Sequence, residues 1–344
     1  MSLRPAEWAK QARTILSLPD KQVYHQYSHL ITRDIFSIAE AVSRFQPVTL
    51  LAGTERATEA REQFKNAPQV DVHPIAGGDL DLWMRDIGPT FVRKGSQVHG
   101  INFNFNGWGD KFLPQTSIGL SSKILELLKI QEIKSEIVTE GGALEVDGEG
   151  TLLATESSII NDNRNPGKSK DAIEAELSKL LALSKFIWIP GRKNVDVTDC
   201  HVDALVRFVR PGHVLLARPT KGSPWEDVYN ETKDILATQT DAKGRTLQVT
   251  EVQDADVMKL RLPKEEVDKI LAEEEEYVPA LNYANFLLVN GGVLVPQFGD
   301  VETDVQAVEV FERLFPEREV VPVRIAVLGL LGGVIHCSSQ EVPL

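Results

Sequence analysis

Four stretches of this chain repeat one order of elements, and that recurrence narrows the folds open to it more than any single motif. Each begins as a hairpin. GPTFVRKGSQVHGINF turns at Lys94-Gly95, ALEVDGEGTLLATE at Asp147-Gly148, ALVRFVRPGHVLLARP at Pro211-Gly212 and NFLLVNGGVLVPQFG at Asn290-Gly291-Gly292. The turn residues permit tight reversal, and β-branched and aromatic residues flank them. Apolar residues three and four apart then predict helices over 117–129, 171–184, 225–238 and 301–315. SEIVTE, FIWIP, LQVTEV and REVVPV read as the strands that close the four units. Upstream, 34–45 and 55–66 predict helices, and VTLLAG and VDVHPI predict strands.

Counting one unit assembled from the two termini, the spacing gives about five strand-strand-helix-strand modules of roughly 70 residues. A closed ring of such modules, an α/β propeller, is the expected architecture, with residues 1–344 as a single catalytic domain because no Pro/Ser-rich linker divides them. A doubly wound α/β fold is the alternative, but its hairpin-free alternation fits this order less well.

Composition limits the partners. Thirty-seven Lys and Arg against 50 Asp and Glu give a net charge of -13, which repels phosphate backbones and argues against nucleic acid. The EEEEY run at 273–277 reads as a solvated helix face. The longest apolar or glycine run, 325–335, is 11 residues, short of the roughly 20 that span a bilayer, so no membrane partner is expected. The N-terminal stretch lacks the pattern of a secretory signal, and two cysteines fit a reducing cytosol. Neither a G-x-G-x-x-G after a strand nor a phosphate loop is present, so no cofactor is expected.

Reactive residues gather just before each hairpin. The clusters are Trp83-Met84-Arg85-Asp86, Glu140-Gly141-Gly142, Thr198-Asp199-Cys200-His201-Val202-Asp203 and Asn282-Tyr283-Ala284-Asn285, with Gly332-Gly333-Val334-Ile335-His336-Cys337 as the fifth. Modules related by rotation would bring these to one axis, making Cys337 central in space. A thiolate is a good nucleophile when an imidazole helps it ionise. Paired carboxylates hold a guanidinium through its planar fork of donors. Cys337 would then attack the guanidinium carbon between Asp86 and Asp203, while His201, oriented by Glu140, protonates departing ammonia and later activates water.

Each piece has a plainer reading. A lone cysteine in an apolar context is more often inert, Asp86 beside Arg85 suits a simple ion pair, and Glu140-Gly-Gly suits a turn. Cys200 reads as structural, on the strand face opposite His201. His336, like His25, His29, His73, His99 and His213, has no comparable company in the sequence. The His-x-Asp pair lacks the paired short spacings of a structural zinc site, so no metal is expected.

The chain resembles the agmatine deiminase and Porphyromonas-type peptidylarginine deiminase family. The resemblance runs through PAEW, WMRDIGPTFV, NFNFNGWG, EGGALEVDGEGTLLATE, NRNPG, TDCHVDALVRFVRPGHVLLA, TDAKGR, NGGVLVPQFGD and GGVIHC. It implies the five-bladed α/β propeller (pentein) of guanidino-modifying enzymes. It also implies Cys337 as nucleophile, His201 as general acid and base, Glu140 as its partner, Asp86 and Asp203 as guanidinium-binding carboxylates, and Trp83 as a pocket wall. Asn285 joins Trp83, Asp86 and Asp203 as an expected substrate-binding residue. Leu18-Pro19, Cys200, Leu144-Glu145, Val334 and SSQEVP depart from the agmatine deiminase pattern of Trp-Pro, Gly, Ile-His, Asn and a Thr-Gln-Gln ending.

The leading expectation is hydrolysis of a small cationic guanidine, agmatine first. An arginine side chain in a peptide or small metabolite is second. Amidino transfer, a metal-dependent hydrolase and a non-catalytic binding propeller are the rivals, and a homo-oligomer is compatible with all of them.

Overall fold

Among the residues that the computed structural model describes, 2–273 and 278–344, the strands form five separate sheets. The acidic run at 273–277 lies outside them, apart from the backbone of Glu273. Four sheets have three strands each. They are Thr90–Lys94, Gln97–Asn102 and Gln131–Lys134; Glu145–Val146, Thr151–Thr155 and Lys185–Ile189; Val206–Arg210, His213–Arg218 and Gln248–Gln253; and Leu287–Val289, Gly292–Gln297 and Glu319–Arg324. In each, the first pair is antiparallel and the second parallel.

The fifth sheet joins the chain's two ends. Ser339–Pro343 runs antiparallel to Gln11–Leu18, which is parallel to Val48–Gly53, itself parallel to Val70–Ile75. The expected composite unit therefore forms, with one strand more than its siblings. Side chains reinforce this closure: Glu7 accepts the Leu288 N–H at 2.7 Å and Asn290 accepts that of Gln11 at 3.0 Å.

Local chemistry explains most elements. Hairpin residues Gly95, Gly148, Gly212 and Gly291 have φ of 64°, 71°, 74° and 80°, a region costly for residues with a Cβ. Middle strands such as Val48–Gly53 and Thr151–Thr155 are buried along their whole length, as expected where a parallel partner and packed helices cover both faces. On the helix Val301–Leu314, Thr303, Asp304, Ala307, Phe311 and Leu314 are buried at spacings of one to four, which lays one stripe on the core.

Two expectations need correction. The helix expected over 117–129 is two, Gln115–Ile118 and Leu120–Leu128, separated at Gly119. SEIVTE is not a strand; the closing strand is Gln131–Lys134, which ends where its partner ends at Asn102. Beyond it, Asn104 donates to the carbonyls of Ser135 and Ile137 at 2.9 and 3.2 Å, and Asn165 accepts the Val138 N–H at 3.0 Å. Side-chain amides thus satisfy a backbone that β-branched residues alone suggested would join a ladder.

Candidate active site

Each reactive cluster lies beside a short helical turn that leads into a sheet's first strand. These turns are Met84–Ile87, Gly141–Ala143, Val202–Ala204, Tyr283–Asn285 and Leu328–Leu331. After the last of them the chain bends through further turns carrying Cys337 before Ser339–Pro343 begins. The turns put side chains at the sheet edges, where they converge.

His201 lies between two carboxylates. Its Nε2 is 3.3 Å from Glu140 Oε2 and its Nδ1 is 3.6 Å from Asp86 Oδ2. Burial opposes a charged ring, but Asp86 and Glu140 outweigh it and push the His201 pKa up to about 9. Glu140 is wholly buried and would be raised by burial; Arg164, donating to it at 2.9 Å, holds it below the usual carboxylate range instead. Arg164 also donates to Asp199 at 2.6 Å and to the Thr198 carbonyl at 3.1 Å, tying Glu140 to the turn that presents His201.

Asp86 accepts from Trp108 Nε1 at 2.9 Å and from the Gly142 N–H at 3.0 Å. Burial, then the charges of Asp203 and Glu140, move its pKa upward despite His201. Gly142 is required by crowding: a Cβ there would come within 2.6 Å of His201 Nδ1, 2.9 Å of Asp86 Oδ1 and 3.2 Å of Asp203 Oδ1. The absence of a side chain lets three polar groups converge.

Cys337 Sγ receives a hydrogen bond from Asn285 Nδ2 at 3.1 Å and is 3.6 Å from Asp203 Oδ2. Asn285 Oδ1 meanwhile accepts the N–H groups of Cys337 and Val334 at 3.1 and 3.2 Å, so its amide is spent on the nucleophile's own loop. Burial, followed by the charges of Asp203 and Asp86, pushes the Cys337 thiol well above its ordinary value. These shifts favour a thiol at Cys337 and an imidazolium at His201, and among the described residues the hydrogen bonds of Cys337 Sγ run to Asn285 and Asp203, not to His201 as expected.

Two cavities, of about 260 and about 280 Å³, share Asp196, Thr198, Gly332 and Cys337 in their walls. The first also touches Trp83, Asp86 and Trp108, and the second His201 and Asp203. All seven residues singled out in the sequence, Trp83, Asp86, Glu140, His201, Asp203, Asn285 and Cys337, therefore occupy one neighbourhood.

Sequence reasoning passed over Trp108, Arg164 and His336. The first two lie in the quoted NFNFNGWG and NRNPG stretches, where an Arg between two asparagines was the available signal. His336 does have company: its Nδ1 is 2.6 Å from Asp203 Oδ2 and its Nε2 is 3.0 Å from Glu7 Oε2. Cys200 is buried, as expected of a structural residue, but it lies on no strand; it has φ 76° in an irregular turn.

An agmatine deiminase of Pseudomonas fluorescens Pf-5 is 37% identical, with 98% of this chain and 95% of that protein covered. One from Pseudomonas putida F1 is 36% identical at the same coverage. The solved agmatine deiminase of Enterococcus faecalis superposes with a TM-score of 0.87 at 28% identity, covering 99% of this chain and 96% of its own. The family model for Porphyromonas-type peptidyl-arginine deiminases matches residues 3–343. With that match spanning nearly every residue, this chain belongs to the Porphyromonas-type peptidyl-arginine deiminase family.

Proposed function

We propose that the protein hydrolyses a substituted guanidine to a urea and ammonia, with agmatine, giving N-carbamoylputrescine, as first substrate. The five sheets are read as blades of one propeller-shaped catalytic domain whose axis passes the five clusters. Unpaired Cys200 and Cys337 support a cytosolic setting.

The observation that carries the substrate reading is the charge of the first cavity. Asp79, Asp81, Asp86 and Asp196 line it, and among the described residues no Lys, Arg or His does. A molecule cationic at both ends suits such walls; the α-carboxylate of free arginine would face carboxylates without a partner. Trp83, Trp108 and Phe112 give the methylene chain an apolar surface.

In the reaction, the guanidinium settles between Asp86 and Asp203. Its charge offsets the two carboxylates that hold the Cys337 thiol up, so substrate binding itself lets the thiol ionise and release its proton through the open cavity. The thiolate attacks the guanidinium carbon, and His201, protonated because of Asp86 and Glu140, gives its proton to the departing ammonia. Neutral His201 then takes a proton from the water that attacks the S-linked carbon, and the urea leaves as Cys337 is restored.

A second reading has its own support. The second cavity is room that agmatine does not need, and Asp254 in its wall keeps Oδ1 buried without a hydrogen-bond partner among the described residues. This favours an arginine side chain carried by a peptide or small metabolite whose further donor meets Asp254. A ureido assay over agmatine, free arginine, arginine peptides and cyclic arginine dipeptides tests both readings. Agmatine turnover supports the first, conversion of only the larger compounds supports the second, and ammonia release from none of them by the wild type defeats the enzyme reading.

A further inference from the structure

His336 precedes the nucleophile and is 2% exposed, with each ring nitrogen directed at a carboxylate. Asp203 would be raised by burial but is held below the usual carboxylate range by its hydrogen bond to His336, then by the charges of His336, His201 and Arg207. Glu7 is likewise lowered, burial being outweighed by Arg207 and His336. The ring thus bridges two carboxylates from behind the nucleophile, tying Asp203 to Glu7.

The arrangement divides the oxygens of Asp203. Oδ2 is taken by His336 and lies 3.6 Å from Cys337 Sγ. Oδ1 is buried without a hydrogen-bond partner among the described residues, beside Gly142. A carboxylate with one oxygen fixed and the other bare costs stability unless a donor arrives.

From this geometry we infer that His336, backed by Glu7, is a positioning residue for guanidinium binding: it fixes Asp203 in one orientation, with Oδ1 reserved for a substrate N–H. The inference rests on the guanidine-hydrolysis reading and adds a residue that acts through another. The charged and titratable groups facing Asp203 are His336, His201, Cys337, Asp86, Arg207 and Arg85; those facing His336 are Asp203, Glu7 and Glu145. Arg207 pairs with Glu7 and lies 3.3 Å from Glu145, so Glu7 is itself held from behind.

The test is steady-state kinetics on agmatine across pH with His336→Asn and Glu7→Gln, each normalised to titrated Cys337. Asn is too short to bridge Asp203 and Glu7 as the ring does. Its expected effect is a KM raised about tenfold, the equivalent of about one pKa unit of lost interaction, with kcat within about threefold. Without the His336 contact the Asp203 pKa rises, so as pH falls the acid limb of kcat/KM is reached sooner, at a higher pH. Glu7→Gln moves both quantities the same way by less. Folded variants with wild-type KM and an unmoved acid limb overturn the inference. Should His336→Asn fail to fold, Glu7→Gln decides; should both fail, the pair serves only the fold and the positioning role is rejected. A wild type that converts no guanidine defeats the functional reading separately. Calorimetric binding of agmatine to Cys337→Ala and to Cys337→Ala/His336→Asn then still decides: affinity about tenfold weaker in the double variant supports the role, and equal affinity overturns it.

Discussion

Two histidines in this molecule each face two carboxylates, and the difference in their grip separates a group suited to moving protons from one suited to standing still. His201 has contacts of 3.3 and 3.6 Å and lines a cavity. His336 has contacts of 2.6 and 3.0 Å and lines neither cavity. A proton held by long contacts next to open space can be handed to a leaving group. A ring locked in short contacts behind the nucleophile serves instead to hold its neighbours in place.

The sharpest break in this comparison is His201→Asn. It should lower kcat by about a thousandfold with little change in KM, whereas the His336 substitution moves KM. If His201→Asn shifts KM alone, the division of labour is wrong. Gly142→Ala comes next, because its methyl would strike His201 Nδ1 and Asp86 Oδ1 together. A loss of about a hundredfold in kcat/KM is expected from displacing both, with the melting temperature measured beside it to separate misplacement from unfolding. Wild-type activity there would mean that the three groups have more slack than their separations suggest.

A gentler probe is Arg164→Gln. In the wild type, His201 must be protonated to donate, so activity should persist below about pH 9 and fall as pH rises through it. Removing the Arg164 cation lets the Glu140 pKa rise. Glu140 still stays ionised near pH 9, and loss of a neighbouring cation does not disfavour the imidazolium, so the alkaline limb should stay or move upward while kcat falls about tenfold because Glu140 is no longer tied to the His201 turn. A wild-type kcat would detach Arg164 from the placing of Glu140.

The smallest effect concerns Cys200, which adopts a left-handed φ of 76° just before His201. Cys200→Gly should remove about 1 kcal/mol of backbone strain while losing a similar amount of thiol burial. Thermal unfolding should therefore shift by only a few degrees; a large drop would show that packing of this side chain holds the His201 turn.

The sequence made the site more legible than its supports. Hairpin turns at Gly95, Gly148, Gly212 and Gly291 announced the sheets because few residues other than glycine suit those angles. Residues before each hairpin announced the site because repetition carries position with it. What stayed hidden was set by tertiary contact. Nothing in the local pattern says that Asn104 and Asn165 would claim the backbone of SEIVTE, or that Arg164 would reach back to Glu140. His336 looked solitary because one of its partners, Glu7, is 329 positions away in sequence.

The pairing of Gln11–Leu18 with Ser339–Pro343 has a consequence for biosynthesis. During translation Gln11–Leu18 emerges long before its antiparallel neighbour Ser339–Pro343 is made. The nascent protein would be chemically silent until Cys337 and the strand after it clear the ribosome, and pairing at so great a sequence separation should be among the slow steps of maturation.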